Sequence, residues 1–467
     1  MLTRLEVDGF KNLLGFSVEF GPFTCIAGPN AVGKSNLFDA IALLSALATS
    51  PLKHAADKVR EDASGFESPR RLFWTDGTVW AETISLAAEM IVPRTGIDDL
   101  SRFAEPKHVH LRYEVVLRFD EGLHLVDERL VVLAGPLTSS LPFPHWPSFV
   151  ALYRAVPEYT GGSETIFDIQ AGVFPGTSSP PSDLARARST FLSSYANADH
   201  PEIMAAKVEL SSWRKLVLDP AELRKPDRLN NHWSGRLPTQ IRHLLGMDDR
   251  LLNMVDPFTD VETPEQWRRA CEHLSAQLCA RIGHITDLRE IWIYRNRDLG
   301  TLTLHAQLAN GAELSARALS DGTLKYLALA VLELSDEAGL VCLEEPENSL
   351  HPSRFEGFFE LIRGLATDAE HDPDLDLKEP PDPLRQVIVN THSSEFVRQV
   401  YRHARGELLL ATTALTQGPE GRNARVLRLN ALPGTWRGGP GVFVPVLSYL
   451  GAEALDETAT IAAEEGS

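Results

Sequence analysis

"GPNAVGKSN", residues 28–36, is the stretch on which the reading of this chain turns. It fits the pattern G-x-x-x-x-G-K-S. Before it lies "FTCIAG", a short apolar run that reads as a strand. After it comes "SNLFDAIALLSALA", whose apolar residues recur at the three- and four-residue spacing of a helix. Glycines in such a strand–loop–helix turn let backbone N–H groups wrap phosphate oxygens. Gly28, Pro29, Asn30, Ala31, Val32, Gly33, Lys34, Ser35 and Asn36 are therefore the expected nucleotide-binding residues. Lys34 is expected to reach the β and γ phosphates, and the Ser35 hydroxyl to bind Mg²⁺. The plainer alternative is a glycine-rich turn without a ligand.

Three later segments bear on the same chemistry. "LVCLEEPENSLHP", residues 340–352, is an apolar strand that delivers Glu344 and Glu345. The first acid at such a strand end can hold Mg²⁺ through water, and the second can orient the attacking water. The plainer alternative is an exposed acidic turn capping the helix after Pro352, which a phosphate loop in the same chain disfavours. "VIVNTHSSEF", residues 387–396, is a strand that ends at His392, where an imidazole could donate to a γ-phosphate oxygen. "ALSDGTLKYLALAVLEL", residues 318–334, reads as a helix start. Ser320 or Asp321 can cap it, and Leu324, Leu327, Ala328 and Val331 fall on one face. Unpaired N–H groups at a helix start suit an anion. His108 and His110 could share a strand face, but no further ligands accompany them, so an exposed strand is expected there rather than a metal site.

Composition narrows the field. The chain has 467 residues, 43% hydrophobic and 23% charged, as expected of a soluble globular protein with room for two or three domains or one domain carrying a large insertion. No run of eighteen or more apolar residues occurs, so no membrane span is expected. The N-terminal twenty residues alternate like a strand and lack a signal-peptide pattern, and Cys25, Cys271, Cys279 and Cys342 form no C-x-x-C pair. A cytoplasmic protein with reduced thiols follows as the expectation. The net charge of −19 argues against a surface coated for DNA binding. Part of the excess lies in "TDAEHDPDLDLKEPPDPLR", which reads as a solvated loop. A local basic cluster remains: Arg214, Lys215, Arg224, Lys225, Arg228, Arg236 and Arg242, with Trp213 and Trp233 among them. Such a cluster can bind nucleic acid, with the tryptophans as stacking platforms. Alternatively, Asp219, Glu222 and Asp227 serve as its internal partners.

Along the chain, "HLRYEVVLRFD" and "LHLVDERLVVLAG" read as an antiparallel hairpin around Asp120, Glu121 and Gly122. Residues 136–183, rich in Pro, Ser and Gly, read as irregular. Helices are expected near 184–196, 201–216 and 238–255, and from Thr263, where "TPEQ" fits a cap. "LREIWIYRN" and "LTLHAQLANGAELSA" return to strand patterns. The order suggests one α/β domain whose halves are split by an insertion.

Strand–P-loop–helix, "LSDGT", strand–Glu–Glu and strand–His occur in the order of an ABC-type ATPase. The chain resembles the soluble ABC-type heads of the RecF, SMC and OLD groups. More closely, it resembles the stand-alone ATPases of bacterial anti-phage systems such as PARIS and Septu. "LEVDGFKNLLGFSVEF", the antiparallel hairpin and "WRKLVLDPAELRKPDRL" carry the resemblance as well; residues 136–212 do not.

The resemblance implies an α/β ABC-ATPase head (a P-loop NTPase) with a mainly parallel core sheet, an N-terminal antiparallel β lobe and a largely helical insertion. Its expected divisions are 1–135 (first half of the head), 136–287 (insertion), 288–447 (second half) and 448–467 (tail). It implies ATP and Mg²⁺ as ligands, Glu344 at the metal with Ser35, Glu345 as the catalytic carboxylate and His392 as a catalytic switch. Ser320 and Gly322 match the Ser and second Gly of the LSGGQ signature, where Asp321 and Thr323 replace its first Gly and its Gln. That signature would engage ATP held by a second subunit, so a homodimer or higher homo-oligomer is expected. Many ABC ATPases have a glutamine that links metal to helices; here none precedes Gln170, and no later one matches that role. About seventy-five residues follow His392, too few for an attached nuclease domain, so a nuclease or toxin effector is expected as a separate chain. Alternatives are a RecF-like repair ATPase acting on DNA, a transporter ATPase, and a scaffold that binds nucleotide without hydrolysing it.

Overall fold

The computed structural model describes residues 1–59, 68–98, 100–133, 163–175, 187–228, 237, 240–241, 264–296, 298–335, 339–367, 384–418 and 421–438. Within them the chain runs β1 (Leu2–Asp8), β2 (Phe16–Glu19), β3 (Phe23–Ala27), α1 (Lys34–Thr49), α2 (Leu52–Val59), β4 (Thr83–Ile91), β5 (Gly96–Ile97), β6 (Phe103–Ala104), β7 (His110–Phe119), β8 (Leu123–Val132), β9 (Glu164–Asp168), α3 (Phe191–Tyr195), α4 (Pro201–Ser211) and β10 (Arg214–Leu216). It continues with α5 (Pro220–Leu223), β11 (Asp227–Arg228), α6 (Pro264–Ile282), β12 (Leu288–Asn296), β13 (Thr301–Leu308), β14 (Glu313–Ser315) and α7 (Asp321–Leu334). Last come β15 (Leu340–Glu344), α8 (Phe355–Gly364), β16 (Gln386–Thr391), α9 (Ser394–His403), β17 (Leu408–Gln417) and β18 (Asn423–Ala431). Two compact units divide these elements. The first comprises Met1–Leu216, Ala338–Glu344 and Ala366–Ser467, and the second Val217–Glu337 and Glu345–Leu365.

The first unit holds two sheets. One has the order β10-β15-β16-β3-β17-β18, in which all neighbours are parallel except the β17–β18 hairpin. β3 and β16 are buried at every residue, and β15 at every residue but Glu344. Their sequences are accordingly unbroken runs rather than alternating ones, as strands covered on both faces must be. The other sheet, β2-β1-β4-β7-β8-β9, is antiparallel. β7 alternates as a half-solvated strand does, with Leu111, Tyr113, Val115 and Leu117 inward. One apolar cluster joins the sheets to α1 through Leu37, Phe38, Ile41 and Leu44.

The second unit pairs β11, β13 and β12 in order, with β14 on β13. α6 packs on β12, and α7 packs against α5, α6 and α8. The buried face of α7 includes Leu324, Leu327, Ala328 and Val331, as its spacing predicts.

Several expectations need correction. The helix expected over 201–216 stops at Ser211, and Arg214–Leu216 forms β10 beside β15. The helix expected over 184–196 is described as Phe191–Tyr195, with Thr190 as its cap. Within the stretch read as irregular, Glu164–Asp168 forms β9 and extends the antiparallel sheet from β8. His110 is buried rather than exposed, because its strand lies inside the sheet between β4 and β8. Burial without a charged partner lowers its pKa to about 4, so it is neutral. Most of the helix expected over 238–255, most of the acidic stretch and all of 448–467 lie outside the described residues. The hairpin turn falls between β7 and β8 as expected, with Glu121 at φ +56°. Among the described residues no helix is long and apolar enough to cross a membrane.

Candidate nucleotide site

β3, β16 and β15 are parallel neighbours, so their carboxyl ends lie side by side. The loop 28–33 leaves β3, His392 follows β16, and Glu344 ends β15. The edge where parallel strands end and helices begin is where open α/β sheets bind ligands. Gly28 N–H donates to the Thr391 carbonyl at 3.1 Å, which ties the loop to β16.

The loop is shaped by close approaches. Gly33 sits at φ +105°, and a Cβ there would fall 2.1 Å from the Asn12 amide. A Cβ on Gly28 would meet the Ala411 carbonyl at 2.7 Å. Asn12 braces the loop by donating to the Val32 carbonyl at 2.9 Å and accepting from Asn36 at 2.8 Å. Gly33 caps α1 without a side chain, and no acid occupies the first turn. A helix start without a capping side chain or an acid in its first turn can serve an anion. Lys34, 5% exposed, donates its ammonium to the carbonyls of Gly28 (2.6 Å) and Pro29 (2.9 Å).

The Ser35 hydroxyl donates to one oxygen of Glu344. Lys215 lies 3.0 Å from the other oxygen, and also 3.1 Å from Asp39 Oδ1. Asp39, one helical turn beyond Ser35 and fully buried, takes a second ammonium from Lys11 at 2.7 Å. Burial pushes the Asp39 carboxyl up, but the charges of Lys11 and Lys215 outweigh it and hold the pKa below the usual value. An alcohol and a carboxylate, both hard oxygen donors, thus meet beside a phosphate-shaped loop. The donor set fits Mg²⁺.

The first unit brings Lys34, Ser35, Glu344 and His392 to one sheet edge. Glu345, Ser320, Asp321, Gly322 and Thr323 belong to the second unit, and the chain passes between the two at Glu344–Glu345. Glu345 adopts φ +43°. Its carboxylate accepts from the Asn348 amide at 2.8 Å, and its carbonyl from Asn348 N–H at 3.2 Å. Ser320 caps α7, accepting from Thr323 N–H at 3.2 Å and sharing a hydrogen bond with its hydroxyl at 2.8 Å. Asp321 pairs with Arg224. A Cβ on Gly322 would touch Leu350 at 3.0 Å.

Asn12, Lys11, Asp39 and Lys215 escaped sequence reasoning. For Asp39 a signal existed: a lone carboxylate on the apolar helix "SNLFDAIALLSALA", four residues after Ser35. Of the basic cluster, Lys215 is engaged at Glu344 and Asp39, Arg224 at Asp321, and Lys225 at Glu222. Trp213 is buried and donates to Glu209 at 2.8 Å, so it is no stacking platform. Trp233, Arg236 and Arg242 lie outside the described residues.

Comparison with known proteins places these residues in company. A family described as "AAA domain, putative AbiEii toxin, Type IV TA system" matches residues 23–81 and 175–398. Over 54 residues the chain is 46% identical to "Structural maintenance of chromosomes protein 1" of Schizosaccharomyces pombe, which is 11% of this chain and 4% of that protein. Over 64 residues it is 41% identical to "DNA replication and repair protein RecF" of Acaryochloris marina, 14% of this chain and 17% of that one. The chain thus spans a small part of both relatives' lengths. Among solved structures, an Smc head bound to the C-winged helix domain of ScpA aligns over 92% of this chain and 98% of its own, with TM-score 0.45 and 16% identity. The SMC head domain from Thermotoga maritima aligns over 92% and 99%, with TM-score 0.36 and 13% identity.

Proposed function

This chain belongs to that AAA-domain family, and from this premise we propose that it is an ABC-type ATPase of the RecF/SMC group in which two copies close over ATP·Mg²⁺ and hydrolyse it. The observation that carries the reading is the meeting of Ser35 and Glu344 beside Lys34 at the mouth of the loop. Mg²⁺, when bound, would neutralise phosphate charge and be held by the Ser35 hydroxyl and the Glu344 carboxylate. Lys34 would turn from the loop carbonyls to the β and γ phosphates, which offer the ammonium a stronger acceptor. Glu345 would accept the proton of the attacking water, and His392 would donate to the γ-phosphate. Ser320, Gly322 and the start of α7 would face the nucleotide held by the second copy, completing each site across the pair.

The output of this cycle, in our reading, is control of a separately encoded nuclease or toxin in anti-phage defence. The family description, with its words "Type IV TA system", supports an output linked to toxin function. The RecF match supports a DNA transaction as the second version of the output. A nucleotide-dependent scaffold without turnover is a further reading, favoured by Asp321 in place of a signature glycine.

Replacing the base decides between turnover and scaffold. Glu345→Gln is expected to leave ATP binding intact and cut steady-state phosphate release by about 100-fold or more, the usual contribution of a positioned acid–base group. Equal rates in both proteins would remove Glu345 from the chemistry.

A further inference from the structure

Lys325 is a charged side chain in the wrong place for solubility. It lies on α7, five residues after Ser320, and is 3% exposed. Burying an ammonium is costly unless its protons find acceptors. Its Nζ donates to two backbone carbonyls of one loop, Pro346 at 3.1 Å and Asn348 at 2.5 Å. Burial lowers its pKa, and the carboxylates of Glu347, Asp321, Asp219 and Glu345 oppose that shift without cancelling it. A leucine would fill the same space without that cost, so the amine's distinct contribution is to fix the two carbonyls.

Those carbonyls belong to the loop that carries Glu345. Asn348, held by Lys325 through its carbonyl, donates its side-chain amide to the Glu345 carboxylate and its N–H to the Glu345 carbonyl. Glu345 is a non-glycine residue at φ +43°, a conformation that persists only where neighbours impose it. Gly322, three residues before Lys325, packs against Leu350 of the same loop. The first two turns of α7 and the loop 345–350 therefore form one packed piece, with Lys325 as its ionic tie.

We propose that Lys325 is a positioning residue that sets the Glu345 carboxylate according to the placement of α7. The inference rests on the reading above, in which the start of α7 faces the second copy's nucleotide. It supplies the link for which no glutamine was found in sequence. Nucleotide on one copy seats α7 of the other, and Lys325 passes that placement to the other copy's own Glu345. Turnover at each site then depends on occupancy of both.

The test is a double-mutant cycle on Lys325→Met and Asn348→Ala, with Lys325→Arg as the conservative rescue. Asn348 is exposed, so its variant spares the core if the methionine disturbs folding. Each single variant should lower kcat about 10- to 100-fold, the scale of a small misplacement of a reacting group. ATP affinity and KM should stay within about twofold, because the phosphate loop is untouched. Lys325→Arg should recover most of kcat, and the double variant should be no slower than the slower single one. A dependence of rate on ATP that is sigmoidal in wild type should become hyperbolic in both singles. Unchanged kcat in the singles, or losses that multiply in the double variant, overturns the inference while wild-type turnover keeps the site reading. No turnover in wild type overturns both.

Discussion

Asp39 has no exposed surface, yet it is ionised, because Lys11 and Lys215 both reach it. A buried carboxylate with two ammonium partners tolerates the loss of one poorly, since the remaining charge is left under-paired. Lys215 also holds the Glu344 oxygen that Ser35 does not. Lys215→Met should therefore destabilise the nucleotide-free protein by about 1–3 kcal/mol, the range for hydrogen bonds to charged groups once partial exposure is allowed for. Urea denaturation without metal measures it. Stability equal to wild type would show that Lys11 alone suffices for Asp39. Apart from the lone acid on the apolar helix α1, none of this was legible in sequence. Lys215 stands in a run of basic residues, and a run of basic residues reads as surface until a fold brings an acid from 129 positions away in the chain against it. Lys325 was hidden for the same reason, because a lysine on a helix ordinarily points to water.

Element by element, legibility follows the strength of the periodic signal. β3, β15 and β16 were readable because strands buried on both faces are continuous apolar runs ended by polar residues. α7 was readable from its cap and its spacing. β10 was not: "RKL" is three residues with two charges, and only pairing with β15 makes it a strand. β9 was lost among prolines, serines and glycines. What β8 contributes is subtler. It carries Glu128 into the core, where the carboxylate accepts from Phe191 and Leu192 N–H at the start of α3 and from the Tyr113 hydroxyl. Burial raises its pKa from 4.5 to about 7 despite those donors. Between these two values the folded protein keeps a proton that the unfolded chain releases, so stability falls as pH rises through this window and levels off above it. The fall is about 3 kcal/mol at most, from the size of the shift. Glu128→Gln keeps an acceptor for α3 and cannot ionise, so its stability should lose that part of the pH dependence. Denaturation midpoints from pH 5 to 8 check this, and an equally steep decline in the variant would assign the slope to other groups.

For the molecule as a whole, the question is whether one copy can be complete. The start of α7 is exposed at Ser320, its cap is made by that residue alone, and no phosphate-binding loop lies within its own unit among the described residues. In the proposed pair this helix start meets the nucleotide of the other copy. Two substitutions separate that role from capping. Ser320→Arg removes the cap, at about 1 kcal/mol, and places bulk and positive charge at the positive end of the helix. Ser320→Asp keeps a capping oxygen and favours the helix dipole, but sets a negative charge where phosphate must come. If the residue matters only to the helix, arginine harms and aspartate does not. If it faces phosphate across a pair, both abolish ATP-dependent association while leaving ATP binding by the monomer unchanged. Sedimentation velocity with ATP and Mg²⁺, in the Glu345→Gln background so that nucleotide persists, reads the difference directly. Association of Ser320→Asp at wild-type strength would mean that α7 faces no phosphate, and the pair would have to be rebuilt on another surface.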